Sequence, residues 1–233
     1  MSSTPRTTGS PADGPLADHG PGLLVMDVDS TLIEQEVIDL LAAHAGTQQH
    51  VAWITARAMR GELDFTESLR ERVTTLAGLP LRVVDEVLAE VTLTTGAEEL
   101  VTRLHALGCR VGVVSGGFEE VAAPLARRLG IDHVAANSLE ASDGVLTGRL
   151  RGRVIDPQEK IRCLRAWAEA DGVPMERTVA VGDGANDLGM LAAAGLGVAF
   201  CAKPVVAQQA RAAVHVRDLR AVLELLPGAG ARR

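Results

Sequence analysis

Two short apolar runs, each ending in a cluster of carboxylates, constrain this chain more than anything else in it. Leu23-Leu24-Val25-Met26 runs into Asp27-Val28-Asp29-Ser30-Thr31, and Thr178-Val179-Ala180-Val181 runs into Gly182-Asp183-Gly184-Ala185-Asn186-Asp187. Such short apolar runs read as strands buried on both faces, the habit of parallel sheets covered by helices. Ligands of such sheets gather beyond the carboxyl ends of the strands. Two acidic clusters about 150 residues apart are therefore expected to meet in space. Carboxylates converging in one cleft repel one another unless a cation lies between them, and an all-oxygen donor set suits magnesium. Magnesium beside a carboxylate nucleophile points to phosphoryl transfer.

The rest of the chain fits the same frame. After the first strand, the next clear buried run is Cys109 to Val114, ending at Ser115-Gly116-Gly117. A parallel crossover needs only a dozen or more residues, and here roughly eighty intervene. Gly96 to Leu107, stopped by Gly108, supplies the crossover helix. Residues 34–95 are surplus to the sheet and carry helical patterns at Val37–Ala45, Val51–Met59, Phe65–Leu76 and Leu81–Val91. An inserted helical unit above the strand ends would be a lid. Downstream, a helix at Phe118–Leu129, a hairpin about Ser142-Asp143-Gly144 and a helix at Pro157–Ala170 precede the second acidic strand. Strands at Gly197–Phe200 and Ala213–Val216 and a helix over Asp218–Leu226 complete the reading. The expected fold is α/β, a doubly wound parallel sheet, Rossmann-like. Its core comprises residues 23–33 and 96–226, with a helical cap at 34–95, a flexible tail at 1–22 and a short tail at 227–233.

Composition removes several function classes. A net charge of −7, with arginines scattered rather than blocked, argues against nucleic acid. With no tyrosine and only 2% aromatic residues, a stacking platform for single strands is also absent. Cys109, Cys163 and Cys201 have no CxxC spacing, so free thiols in a reducing cytosol are expected rather than disulfides or zinc. The first 22 residues show no apolar signal region, and the longest uncharged stretch, Leu188–Ala202, is too short to span a bilayer. A cytoplasmic protein with a small-molecule substrate and no membrane partner is expected.

Taken singly, the candidate residues differ in weight. Asp27 is placed as a nucleophile, with Asp29 as general acid and then general base; the plain alternative is an acidic turn with Ser30 or Thr31 as a helix cap. Asp183 offers a hard oxygen ligand in a glycine-loosened turn. Ser115 with the Gly116 amide suits phosphate oxygens at a strand end, or is a plain turn. Lys160 alone reads as a solvated surface lysine. Glu36 and Arg72 lie in the inserted unit, where Arg72 has Glu67 and Glu71 as ready ion-pair partners.

Together, DVDST, SGG, a helical Lys160 and GDGAND resemble the haloacid dehalogenase-like phosphohydrolases. Glu36, Asp39, Asp64-Phe65, Ser68 through Val73 and Ala199-Phe200-Cys201-Ala202-Lys203-Pro204 extend the resemblance to the phosphoserine phosphatases, over about Leu23 to Leu226. This resemblance implies a magnesium-dependent hydrolase of phosphoserine that completes serine biosynthesis through an aspartyl-phosphate on Asp27. It implies magnesium held by Asp27, Asp183 and the main-chain carbonyl of Asp29. Phosphate would be bound by Ser115, Gly116 and Lys160 with Asn186 nearby, supported by Phe65 and Asp187. Glu36 would meet the substrate ammonium and Arg72 its carboxylate, an acid and a bidentate base suited to a zwitterion. The remaining alternatives are another small phosphomonoester, transfer to an acceptor alcohol, and a non-catalytic metal-dependent binding module. Many relatives carry a further N-terminal domain, and feedback through one is not expected here.

Overall fold

The computed structural model describes residues 6–9 and 13–227. The elements run β1 (Thr7–Gly9), α1 (Gly14–His19), β2 (Leu23–Met26), α2 (Val37–Ala45), α3 (Gln48–Met59), α4 (Phe65–Thr74), α5 (Arg82–Glu90) and α6 (Ala97–Ala106). They continue as β3 (Arg110–Phe118), α7 (Glu119–Leu129), β4 (His133–Ser142), β5 (Val145–Arg151), α8 (Pro157–Ala170), β6 (Thr178–Gly182) and α9 (Leu188–Ala193). Last come β7 (Leu196–Phe200), α10 (Pro204–Ala207), β8 (Ala212–Val214) and α11 (Arg220–Leu223).

The strands form one eight-stranded sheet in the order β1-β8-β7-β6-β2-β3-β4-β5. From β8 to β4 neighbours pair in parallel, while β1 and β5 close the two edges antiparallel. Alternate residues of β2 explain why the run is apolar throughout. Leu24 and Met26 pack into one hydrophobic cluster, with residues of α6, α7 and α11. Leu23 and Val25 pack into another, with Leu164 of α8 and Met190 of α9. Neither face of the strand sees water, so no position tolerates a polar side chain. β2 pairs with β3 on one side and β6 on the other, Met26 facing both Val113 and Val181. The chain thus winds outward in both directions from β2, and the carboxyl ends of β2 and β6 flank the resulting crevice.

Helices α2 to α5 lie between β2 and α6 in the chain. The linkers at either end bond to each other, Glu34 N–H to Thr92 O at 2.9 Å and Thr94 N–H to Leu32 O at 2.9 Å. A second attachment lies between α4 and α5, where Gly78 N–H donates to Leu146 O and Leu146 N–H to Leu79 O, both at 2.8 Å. The β4–β5 hairpin therefore holds this insertion by backbone bonds.

Three sequence expectations are corrected. The segment up to Gly22, expected as a tail, contains β1 and α1. β8 would otherwise expose unpaired backbone groups, and Thr7, Thr8 and Gly9 satisfy them. Leu16 of α1, 1% exposed, joins the core. Residues 1–5, 10–12 and 228–233 lie outside the described residues. β3, expected over Cys109–Val114, runs through the Ser115-Gly116-Gly117 segment to Phe118, with its register on β4 shifting between Val114 and Phe118. The final helix is confined to Arg220–Leu223, with turns on either side of it. After β2 the chain makes a π-type turn over Val28–Leu32, with Ser30 at φ 53°. Among the described residues no helix is long and apolar enough to cross a membrane.

Candidate active site

Asp27 is the first residue past β2, and its N–H still bonds Val181 O at 3.0 Å. The sheet ladder therefore sets the position of this carboxylate. Its Oδ1 accepts from Val28 N–H at 2.8 Å and lies 2.9 Å from Lys160 Nζ. Lys160 is fully buried and also donates to Asp187 Oδ1 at 2.7 Å. The surface-lysine reading is thus overturned. Lys160 lies in helical phase with Leu164 and Ala168 on the buried face of α8. Burial by itself would lower the ammonium's pKa, but the Asp187 and Asp27 carboxylates hold it above the ordinary lysine value. One ammonium thus serves two buried carboxylates. Asp27 is accordingly held well above the usual carboxylate range, by burial first and then by repulsion from Asp187.

Asp183 stands nearby, its carboxyl pushed up to about 6 by burial and by Asp187. Thr31 Oγ1 donates to its Oδ1 at 3.3 Å. Oxygens of Asp27, Asp183 and Asp187 lie within 4.8 Å of one another, an arrangement able to hold a metal ion. The donor set is all oxygen and its negative charge exceeds that of its single ammonium, which fits a hard divalent cation. Asp187 is partly committed elsewhere, since its Oδ2 accepts from Gly184 N–H at 3.0 Å.

Asp29 is turned away from this cluster. The π-type turn aims its carboxylate at Val37 N–H and Ser115 Oγ, which donate at 2.8 and 2.9 Å. Burial raises its pKa, and these two donors only partly offset the rise. Gly117 N–H in turn donates to Ser115 Oγ at 2.8 Å. The shifted register of β3 places this hydroxyl and the following glycines at the strand end. A Cβ on Gly117 would collide with Asp29 Oδ2, and one on Gly116 would come within 2.6 Å of Phe65. Neither position has room for a side chain.

A cavity of about 330 Å³ opens here, lined by Asp27, Asp29, Glu36, Phe65, Arg72, Gly116, Asp183 and Asn186 among others. Ser115, Lys160 and Asp187 are buried beneath its floor. The sequence candidates therefore all converge, including those of the insertion. Glu36, just before α2, accepts from Ser30 Oγ at 2.6 Å. Its carboxyl opens onto the cavity yet is walled by protein, and burial followed by Asp29 pushes its pKa up to about 7. Arg72, on α4, donates through Nε to Ser68 O at 3.3 Å and meets no carboxylate within 4 Å among the described residues. The partners read for it from sequence are taken: Glu71 by Arg57 at 2.9 Å, and Glu67 by the capping box with Asp64. Burial lowers the Arg72 pKa, against the fields of Glu36, Asp39 and Asp29.

Sequence reasoning missed three supporting residues: Thr31, Gly117 and Asn137. Asn137 Nδ2 donates to Gly116 O at 2.9 Å while its Oδ1 accepts from Ile155 N–H at 2.8 Å, fixing the glycine turn from β4. Thr31 and Gly117 lay inside motifs already noted; Asn137 gave no signal beyond a polar residue within a strand. The cysteines are free, and burial pushes Cys109 up to about 12, which leaves it an unreactive thiol.

A family model of haloacid dehalogenase-like hydrolases matches residues 24–192. The phosphoserine phosphatase of Streptococcus thermophilus is 52% identical over 90% of this chain and 97% of its own length. That of Streptomyces coelicolor is 60% identical over 88% of this chain, which spans about half of that relative's length. A solved phospho-aspartyl intermediate analogue of a phosphoserine phosphatase superposes with a TM-score of 0.84 at 43% identity, covering 88% of this chain and 99% of its own. A substrate-bound phosphoserine phosphatase complex gives 0.84 at 42% identity, covering 88% and 98%.

Proposed function

The chain belongs to the haloacid dehalogenase-like hydrolases, and from that premise we propose that it hydrolyses phosphoserine to serine and inorganic phosphate, using Asp27 as nucleophile. One observation carries the reading. A carboxylate able to attack, an acid beside it, and an opposed Glu36 and Arg72 face one cavity of small-molecule size. Phosphoserine presents a phosphate, an ammonium and a carboxylate, and this cavity offers each a complementary group.

Asp27 Oδ1 is occupied by Val28 N–H and Lys160, which leaves Oδ2 for attack on phosphorus. The new bond is Oδ2–P, and the ester bond to the serine oxygen breaks. Asp29, whose pKa burial raises above that of an ordinary aspartate, hands a proton to the departing oxygen. Serine leaves and Asp29, now ionised, takes a proton from the water that attacks the aspartyl-phosphate. The P–Oδ2 bond breaks, and Asp27 and inorganic phosphate are regenerated. Lys160, the Gly116 amide and Ser115 would counter the charge on the phosphoryl oxygens, with Asn186 at the cavity wall. Magnesium, when bound by Asp27, Asp183 and the Asp29 carbonyl with Asp187 beside them, supplies positive charge that offsets the mutual repulsion of nucleophile and phosphate.

Residues 34–95 act in this reading as a cap that brings Glu36, Phe65 and Arg72 over the phosphate and excludes water from it. The enzyme is assigned to the cytoplasm, where its substrate is a soluble amino acid ester. Release of inorganic phosphate from phosphoserine, measured with magnesium and with EDTA, tests the proposal. Magnesium-dependent release is expected, and absence of release with magnesium present overturns it.

A further inference from the structure

Of the 23 basic residues in this chain only two are lysines, Lys160 and Lys203, and all the others are arginines. Both lysines stand at the cavity. Lys160 is buried beneath the floor, whereas Lys203 is an exposed part of the lining. Lysine is a compact charge on a flexible stem, while arginine is a rigid fork that seeks paired acceptors. A chain that uses arginine for every other cation retains the mobile point charge only at these two places.

The main chain at Lys203 is fixed, while its exposed side chain pairs with no carboxylate within 4 Å among the described residues. Cys201, past the end of β7, holds φ +46° and is tied by its N–H to Val214 O at 2.8 Å. Val206 and Ala207 donate to Lys203 O at 2.9 and 3.0 Å. The ammonium has no carboxylate within 4 Å among the described residues; its neighbour is Met59 Sδ, 4.0 Å away on α3. Lys203 and Met59 thus bracket the cavity from the sheet side and from the inserted helices.

The cavity has a charge problem that this position answers. Its wall presents five carboxylates, Asp27, Asp29, Glu36, Asp39 and Asp183, against two cations, Arg72 and Lys203. With a divalent cation between two of them and the proton that Asp29 is to donate in place, the two acids left are balanced only by Arg72 and Lys203 together; without Lys203 the wall is net negative. A phosphate monoester arrives with about −1.5 to −2 on its phosphate, and such a wall repels it. Lys160 offers no remote attraction, because Asp27 and Asp187 already share it. We infer that Lys203 is a positioning residue that captures the anionic substrate at the rim and steers its phosphate inward to Asp27. This inference rests on the phosphomonoesterase reading of the cavity.

Steady-state kinetics of the magnesium-loaded protein over a series of salt concentrations test it. Lys203→Gln is expected to raise KM for phosphoserine about 3–10-fold with a much smaller change in kcat, and to flatten the fall of kcat/KM with ionic strength. Lys203→Glu should raise KM further, and Lys203→Arg should restore the salt dependence. A lysine that only packs against Met59 would alter the melting temperature and leave the salt slope at the wild-type value. Unchanged KM and slope in both Gln and Glu variants overturn the inference. If the wild-type protein releases no phosphate from phosphoserine, the proposed substrate fails instead. Lys203 is then decided by calorimetry with inorganic phosphate, whose Kd should rise about 3–10-fold in Lys203→Gln; an equal Kd overturns the inference.

Discussion

Lys160 Nζ lies 2.9 Å from Asp27 Oδ1, so the cation assigned to the phosphate already neutralises the nucleophile in the free protein. Asp187 shares the same ammonium at 2.7 Å, and neither Lys160 nor Asp187 is exposed at all. Truncating Lys160 strands two buried carboxylates. Losing one partner of a buried ion pair costs about 3–5 kcal/mol, so Lys160→Ala should lose stability on that scale as well as activity. Urea unfolding in metal-free buffer reads the effect. Midpoints that match the wild type would show that the carboxylates are not dependent on this lysine.

Asp27→Asn retains the shape of the side chain and its bond from Val28 N–H, so the protein should fold and bind phosphoserine. Turnover should be abolished, because an amide oxygen does not supply the nucleophilic carboxylate. Labelling with radioactive phosphoserine followed by acid quench should trap phosphate on the wild type and none on the variant. A phosphoenzyme in Asp27→Asn would move the nucleophile elsewhere.

Asp29→Asn removes the group proposed to give and then take a proton, and general acid–base catalysis typically contributes about 10²–10⁴-fold. A loss of that size in kcat is expected. Gly117→Ala should reproduce part of it without touching the carboxylate, since its new Cβ falls on Asp29 Oδ2. Wild-type kcat in both variants would remove Asp29 from the mechanism.

These residues differ in how plainly the sequence displays them, and the reason is physical. β2 and β6 are legible because burial on both faces excludes every polar side chain, and the acids that follow have no structural reason to end such runs. Lys160 is harder to see: its ammonium is buried only because two carboxylates, from the turns after β2 and β6, meet it there. Its phase with Leu164 and Ala168 on α8 was the available sign. Asn137 gives none, because its task is to bond a backbone carbonyl that sequence does not locate. β1 is invisible for a related reason. Thr7 to Gly9 bury little and are held by backbone bonds to β8, which any sequence can make. The unpaired charge of Arg72 is hidden from sequence because it depends on Arg57 and the Asp64 capping box occupying its neighbouring acids, Glu71 and Glu67.

Glu36 sets a pH dependence. Burial pushes its carboxyl pKa up to about 7 in the folded protein, against 4.5 for an ordinary glutamate. Below 4.5 it is protonated in folded and unfolded chains alike; above about 7 it is ionised in both, and the folded state bears the cost. Its contribution therefore lowers stability as pH rises between those values. A substrate ammonium needs the ionised form, so KM for phosphoserine should fall as pH is raised from 6 towards 8. Glu36→Gln should raise KM and flatten this profile. A variant profile parallel to that of the wild type would place the titration on another group.

Arg72 provides the sharpest test of substrate class. Its guanidinium faces the cavity with no carboxylate partner within 4 Å among the described residues, and Glu36 lines the same space, accepting a hydrogen bond from Ser30. Two solvated surface charges would barely distinguish one phosphate ester from another. Two charges enclosed above a phosphate behave differently: an ester without ammonium and carboxylate leaves both unpaired. Sites built to bind polar groups reject analogues that lack them by roughly 10⁴–10⁵-fold. Phosphoserine should therefore be strongly preferred over phosphoethanolamine, which lacks the carboxylate, and over simple alkyl phosphates, which lack both groups. Arg72→Ala should lower kcat/KM for phosphoserine far more than for an alkyl phosphate, and so narrow the preference. Paired measurements on the two esters decide it. Equal losses on both would mean that Arg72 supports the insertion rather than reading the substrate carboxylate, and the assignment would contract to a small-molecule phosphatase.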